Sequence, residues 1–332
     1  MKIAINGLGR IGRAVLRAYA ESRTDGRWAD IEIAKINAPA AIENSLHLLK
    51  YDSVHGKFPV DIRAEDGCLC FGDCKIPVSH EREISKLDWS GIDVVLECTG
   101  RFNKRADAGL HIAQGAKKVL ISAPSPDADA TIVYGVNNDA LKASDTVISI
   151  GSCTTNCLAP IAKALNDTIG IEHGFVTTIH SYTADQNIVD GSHKDLRRAR
   201  AGGLSMVPTS TGAAKALGVV LPELQGKLDG VAIRVPTPNV SLVDLAFTAG
   251  SETSVEEIHS IIQGLADGAM SGVLATSGEP LVSIDFTGHS ASSIFDKTQT
   301  YVVGGNFCRV ASWYDNEWGF SCRMLDVAGL CR

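Results

Sequence analysis

No stretch of this 332-residue chain approaches the roughly 20 consecutive apolar residues that a membrane-spanning helix needs, so no membrane partner is expected. Positive charge is not in excess either. Against 38 Asp and Glu stand 31 Lys and Arg, a net charge of −7, which disfavours nucleic acid as the main partner. The nine cysteines form no paired CxxC set of the kind that holds zinc, and no metal is expected. Internal repeats, low-complexity segments and long linkers are also missing. Met1 leads straight into a strand-like run, without the charged and apolar regions of an export signal. A cytoplasmic chain with reduced thiols is therefore expected, most of them small core residues. The remaining composition, 45% hydrophobic and 21% charged, is that of a globular chain with length enough for two domains.

What is present begins at the first residues. Lys2 to Asn6 reads as a strand, Gly7-Leu8-Gly9-Arg10-Ile11-Gly12 as a turn, and Ala14 to Glu21 as a helix. A GxGxxG placed between strand and helix is a dinucleotide fingerprint. Gly7 permits the tight turn, Gly9 lets a pyrophosphate approach, and Gly12 lets helix and strand pack closely. The phosphates then sit on the helix N-terminus. The second strand, Ile31 to Ile36, should end in an acidic residue that takes both ribose hydroxyls of NAD. Asn37-Ala38-Pro39 stands there instead. A missing carboxylate removes the repulsion against a 2′-phosphate and points to acceptance of NADP. The alternative is that Asn37 alone holds the ribose of NAD. Strand and helix runs then alternate as far as Lys117–Ser122, the pattern of a doubly wound parallel sheet that binds ligands at its carboxyl ends. Thr99, Gly100 and Ser122 lie at such ends and are candidate cofactor contacts. Residues 1–151 are expected to form this Rossmann-type domain.

Beyond it the strands lengthen and the helical runs thin out. Phe175–Tyr182, Val231–Val235, Val240–Thr248, Thr300–Val303 and Arg309–Tyr314 all read as strands. This predicts an α+β catalytic domain over 152–316, with a mixed, largely antiparallel sheet and helices on one face. The helical stretch 317–332 is expected to pack back on the first domain. The fold class is α/β.

Chemistry is signalled by Ser152-Cys153-Thr154-Thr155-Asn156-Cys157, which follows a strand-like run and Gly151 and precedes a helical run. Cys153 then lies at a helix N-terminus, where backbone N–H groups and the macrodipole favour the nucleophilic thiolate. His180 follows near the end of a strand, a candidate base for that sulfur. The basic run His193–Arg200 offers guanidinium forks that match phosphate oxygens. Thr209-Ser210-Thr211-Gly212 adds hydroxyls and N–H groups at a helix start, and Arg234 ends a strand. Three phosphate-type elements in one domain predict a phosphorylated substrate.

These stretches together resemble the phosphorylating glyceraldehyde-3-phosphate dehydrogenases. INGLGRIGR, HLLKYDSVHGKF, ECTGRF, SCTTNCLAP, HSYTADQ, HKDLRRAR, PTSTGAAKA, GKLDGVAIRVPTPNVSLVDL and SWYDNEWGFS follow the family's order across nearly the whole chain. The resemblance implies oxidative phosphorylation of glyceraldehyde 3-phosphate with NAD or NADP, in glycolysis or gluconeogenesis, by a homotetramer. By position it implies Cys153 as nucleophile and His180 as base. Arg10 and Ile11 would contact the cofactor pyrophosphate, Ser122 another part of the cofactor, and Asn316 the nicotinamide carboxamide. Ser152, Thr154, Arg198, Thr211 and Gly212 would hold the attacking inorganic phosphate, and Thr183 and Arg234 the C3 phosphate of the substrate.

Some positions depart from the family. Ser149-Ile150-Gly151 replaces the usual SNA before the thiol motif, and Ala38 replaces the acidic residue. The loop Asp190-Gly191-Ser192-His193 has a small residue and serine where NAD-specific members carry a bulky apolar residue and proline. Ser192, from a neighbouring subunit, and Arg82 could then bond a 2′-phosphate, so NADP is expected to be accepted or preferred. The competing readings are an erythrose-4-phosphate dehydrogenase and a non-catalytic binding protein on the same fold.

Overall fold

Runs such as Ile3-Ala4-Ile5 and Val94-Val95-Leu96 leave no polar face for solvent, so a sheet built from them must be covered on both sides. All six side chains are completely buried. The computed structural model describes residues 1–332 in two units, Met1–Ser152 with Phe320–Arg332, and Cys153–Gly319.

The first unit holds a nine-stranded sheet. Its parallel core pairs Lys2–Asn6 with Glu32–Asn37 on one side and Val94–Glu97 on the other, continuing through Lys118–Ile121 and Val147–Ser149. The order reverses beside Lys2–Asn6, so the glycine turn that follows it opens at a switch point, where such sheets bind ligands. Cys74–Ser79 extends the sheet on the far side and leads into an antiparallel edge. The helix Trp318–Leu330 contributes most of its length to this unit. Within it, Asp326 accepts the indole N–H of Trp28 at 2.7 Å, and Ser321 donates to the carbonyl of Ile11 at 3.5 Å.

The second unit holds a seven-stranded mixed sheet, antiparallel in four of its six pairings. Its interior strand Ile171–Ser181 runs parallel to Leu228–Val235, and the register sets His180 beside Arg234. The helix Cys153–Thr168 buries Leu158, Ile161 and Leu165 completely. These contacts fix its first turn, and with it the thiol.

Local departures from expectation have local causes. Residues 58–61 connect the short strands Gly56–Lys57 and Ile62–Glu65, because Pro59 has no N–H to give a ladder. The helical stretch between Val94–Glu97 and Lys118–Ile121 is two short pieces, Arg105–Ala108 and Leu110–Ala113, that meet at Gly109. The helix Ile42–Lys50 carries no side-chain cap and sits on Ala41, so it lacks the usual start signal.

Candidate active site

Gly151 turns the chain with φ +69° after the Val147–Ser149 strand, and Cys153 is the first residue of the next helix. Half-buried Ser152 precedes it. The Cys153 sulfur lies 3.5 Å from Nε2 of His180, which is only 4% exposed. Nδ1 of His180 is 2.7 Å from the carbonyl of Ser181, so it carries the proton and donates there. Nε2 is then a free acceptor aimed at the thiol. Nη1 of Arg234 also approaches Nδ1, at 3.0 Å, but its hydrogen goes to the same Ser181 carbonyl at 3.0 Å.

Burial and the neighbouring Arg234 guanidinium push His180 down to about 3, so it is a neutral base over the whole ordinary pH range. Burial pushes the Cys153 thiol up, against the pull of Arg234 and of the Thr154 N–H and hydroxyl. This direction runs against the one expected from the helix start. The helix start and Arg234 favour the anion, and the partial burial of Cys153 opposes them. Cys157, one turn on, is fully buried, bonded to Ser293 and pushed up to about 12. It is a core thiol.

Arg234 has no carboxylate partner. Nη1 bonds Ser181 and, at 3.3 Å, the Thr183 hydroxyl, and Nε is buried without any partner. An uncompensated, largely desolvated guanidinium beside a hydroxyl is suited to an anion. Arg198 differs. Asp185 occupies its Nη1, Nε bonds Thr209 at 3.1 Å, and Asp195 lies 3.7 Å away. Arg200 is likewise paired with Asp190. Two forks of the basic run, Arg198 and Arg200, are therefore already engaged by carboxylates. Thr211 accepts the N–H of Ala213 at 3.2 Å, and Gly212 caps that helix with nothing near its missing Cβ.

The Thr154 hydroxyl lies beside the Cys153 sulfur. The Thr154 side chain is buried and bonds the Tyr314 hydroxyl at 2.9 Å. Tyr314 bonds Thr178 at the same distance and meets the His180 ring edge to face at 5.9 Å. It was not singled out from the sequence, although it sits inside SWYDNEWG. Asn316 gives its amide oxygen to Ser181 and Ser241 at 2.9 and 3.0 Å, which leaves the nitrogen as a free donor.

In the first unit a cavity of about 330 Å³ opens beside the glycine turn. Gly7 has φ +98°, and a Cβ there would strike Thr99 at 2.9 Å; one at Gly12 would stand 2.0 Å from the Gly7 carbonyl. At Gly9 the nearest protein atom would be 3.9 Å away. The protein itself does not need that room, so the space fits a ligand. Asn37, Ala38, Arg82 and Thr99 line the cavity. The Asn37 amide is already used on both sides, by Asn6, Glu81 and Ser79, which counts against its holding a ribose through the side chain. Arg82 is exposed, with its guanidinium unbonded. Arg10 begins the Arg10–Ser22 helix, half-buried Ile11 follows, and the Arg10 fork is held by Asp52 at 2.5 and 3.1 Å. Gly100 takes φ +71° in the turn after Thr99, and half-buried Ser122 directly follows the strand Lys118–Ile121. Ser192 is exposed in a loop of the second unit.

Comparison with known proteins agrees across the chain. The profile described as "Glyceraldehyde 3-phosphate dehydrogenase, NAD binding domain" matches residues 1–105, and the one described as "Glyceraldehyde 3-phosphate dehydrogenase, C-terminal domain" matches residues 152–316. The glyceraldehyde-3-phosphate dehydrogenase of Cereibacter sphaeroides is 55% identical over 99% of this chain and 97% of its own. Those of Xanthobacter flavus and Geobacillus stearothermophilus are 54% and 50% identical, again over 99% and 97%.

Proposed function

Because the chain belongs to the glyceraldehyde-3-phosphate dehydrogenase family, we propose that it converts glyceraldehyde 3-phosphate and inorganic phosphate to 1,3-bisphosphoglycerate through a thioester on Cys153. The observation that carries this is the Cys153–His180 pair beside Arg234, a cation without a carboxylate partner. The thiol gives its proton to Nε2 of His180 as the sulfur attacks the aldehyde carbon. The carbonyl electron pair moves to oxygen, where the imidazolium and the N–H groups of the helix start stabilise it. Returning that proton gives the hemithioacetal. A dinucleotide bound at the glycine turn supplies a two-electron acceptor for the oxidation. In that step His180 takes the hydroxyl proton, leaving a thioester. Thr183 and Arg234 hold the C3 phosphate. Inorganic phosphate, held by Ser152, Arg198, Thr211 and Gly212, attacks the thioester, and the sulfur leaves as the thiolate. Asp185 must yield Arg198 for this. Asn316 offers its free amide nitrogen to the nicotinamide carboxamide.

NADP is accepted at least as well as NAD in this reading. Its support is chemical. Small, buried Ala38 stands where an acid would repel a 2′-phosphate, and Arg82 and Arg101 line the cavity. Its one carboxylate, Glu81, is turned to the N–H groups of Arg82 and Glu83. Ser192 would add a hydroxyl from a neighbouring subunit of a homotetramer. The loop that carries it exposes Ile188, Val189, Leu196 and Leu204, apolar side chains suited to a subunit contact. No helix is long and apolar enough to cross a membrane, and the nine free thiols fit a cytoplasmic setting.

Steady-state kinetics with each dinucleotide, on glyceraldehyde 3-phosphate and erythrose 4-phosphate, with and without inorganic phosphate, test the proposal. Turnover should require phosphate and favour the triose. A kcat/KM for NAD about a hundredfold above that for NADP, the discrimination a repelled charge gives, would remove the cofactor assignment. Ala38→Asp should shift preference toward NAD.

A further inference from the structure

Beneath the glycine turn lies a run of buried polar side chains that the chemistry above does not use. It begins at Trp89, 1% exposed, whose indole N–H can only donate. It donates to Nδ1 of His111 at 2.8 Å. Nδ1 must therefore accept, and the His111 proton sits on Nε2, 3.0 Å from Oε2 of Glu97. The same oxygen accepts the Asn6 amide at 2.6 Å. Oε1 accepts both the N–H of Thr99, at 2.8 Å, and its hydroxyl. From Asn6 the run continues, because Asn37 donates to Asn6 Oδ1 at 2.8 Å and is itself clasped by Glu81 and Ser79. Glu97 and His111 are 1% and 0% exposed.

Every donor direction is thus settled from the indole inward, and four donors converge on Glu97. Only a carboxylate has acceptor sites for all four and no hydrogen of its own. Glu97 does not line the cavity, yet its two oxygens reach both sides of it. One fixes Thr99, whose backbone stands against Gly7; the other acts through Asn6 on Asn37, at the ribose end.

We propose that Glu97 is the positioning residue of the dinucleotide site, setting the Thr99 turn and the Asn37 strand end as one unit. This rests on the cofactor reading above. In Glu97→Gln the new amide must turn its N–H groups toward existing donors on one side or the other. The cofactor-free protein should then bind NAD and NADP about tenfold more weakly by isothermal titration, the loss expected for a broken hydrogen bond to a charged group. KM for the dinucleotide should rise by the same factor, while kcat at saturation stays about the same. KM for glyceraldehyde 3-phosphate and the rate at which iodoacetate alkylates Cys153 should not move. Unchanged dinucleotide affinity would overturn the proposal, as would an equal loss in alkylation rate and both KM values, the mark of general loosening. If Glu97→Gln does not fold, Thr99→Val decides. It removes one of the four donors and should weaken binding about threefold, whereas unchanged affinity rejects the inference. Wild-type protein that binds neither dinucleotide would instead sink the cofactor reading itself.

Discussion

At the scale of single residues, His180, the proposed base, also bears on stability. Its folded value, about 3, lies below the ordinary 6.5, because burial and Arg234 disfavour the imidazolium. The unfolded chain therefore takes up a proton that the folded chain refuses. The group's stabilising contribution is present above pH 6.5 and is lost as the pH falls from there toward 3. Urea unfolding at pH 4, 5 and 6 should show a slope up to about 1.4 kcal/mol per pH unit steeper in the native protein than in His180→Gln. Equal slopes would mean that the imidazole is solvated. The residue types at this site were legible in sequence, because a thiol after a glycine turn and a strand histidine each announce their chemistry. Their partners were not. Tyr314 reaches Thr154 across 160 positions of chain, and Asp185 neutralises Arg198 from a loop with no periodic signal. The burial that pushes the Cys153 thiol up is a property of the packed unit that no spacing encodes.

At the scale of elements, the strand–glycine–helix unit at the N-terminus separates two demands that its glycines satisfy. Gly12 is required by the fold, because a Cβ would sit on the Gly7 carbonyl; Gly9 is not. Gly12→Ala should lower stability by about 1–3 kcal/mol, in the range of overpacked sites, and weaken dinucleotide binding as well. Gly9→Ala should keep its melting temperature and lose affinity alone. A Gly9→Ala protein that melts early would mean the turn is strained. Such elements were legible wherever a strong local rule operated, as in the fingerprint and the long strands of the second unit. Where a helix lacks a cap, as at Ile42–Lys50, or a single glycine divides one, as at Gly109, tertiary packing decides and local pattern falls short.

At the scale of the whole molecule, the first unit is discontinuous in sequence, and its last helix returns to it from the far end of the chain. Met324, Leu325, Val327 and Ala328 are fully buried, and Asp326 is shared by Arg27, Trp28 and Arg323. A chain ending at residue 317 would lose these buried side chains and Asp326, uncovering the surface they cover and leaving the Trp28 indole without its acceptor. It should lose cooperative unfolding followed by circular dichroism, and no dinucleotide should raise its midpoint. A truncated chain with the full-length midpoint would show that the helix is an accessory. The same discontinuity has a consequence for biosynthesis. At the pace of translation, roughly 10–30 s separate the emergence of residue 152 from that of residue 320. For that interval the nascent first unit is an unsealed apolar surface on the ribosome, and any message cut short before the last helix yields a polypeptide fit for chaperones and proteases rather than for catalysis.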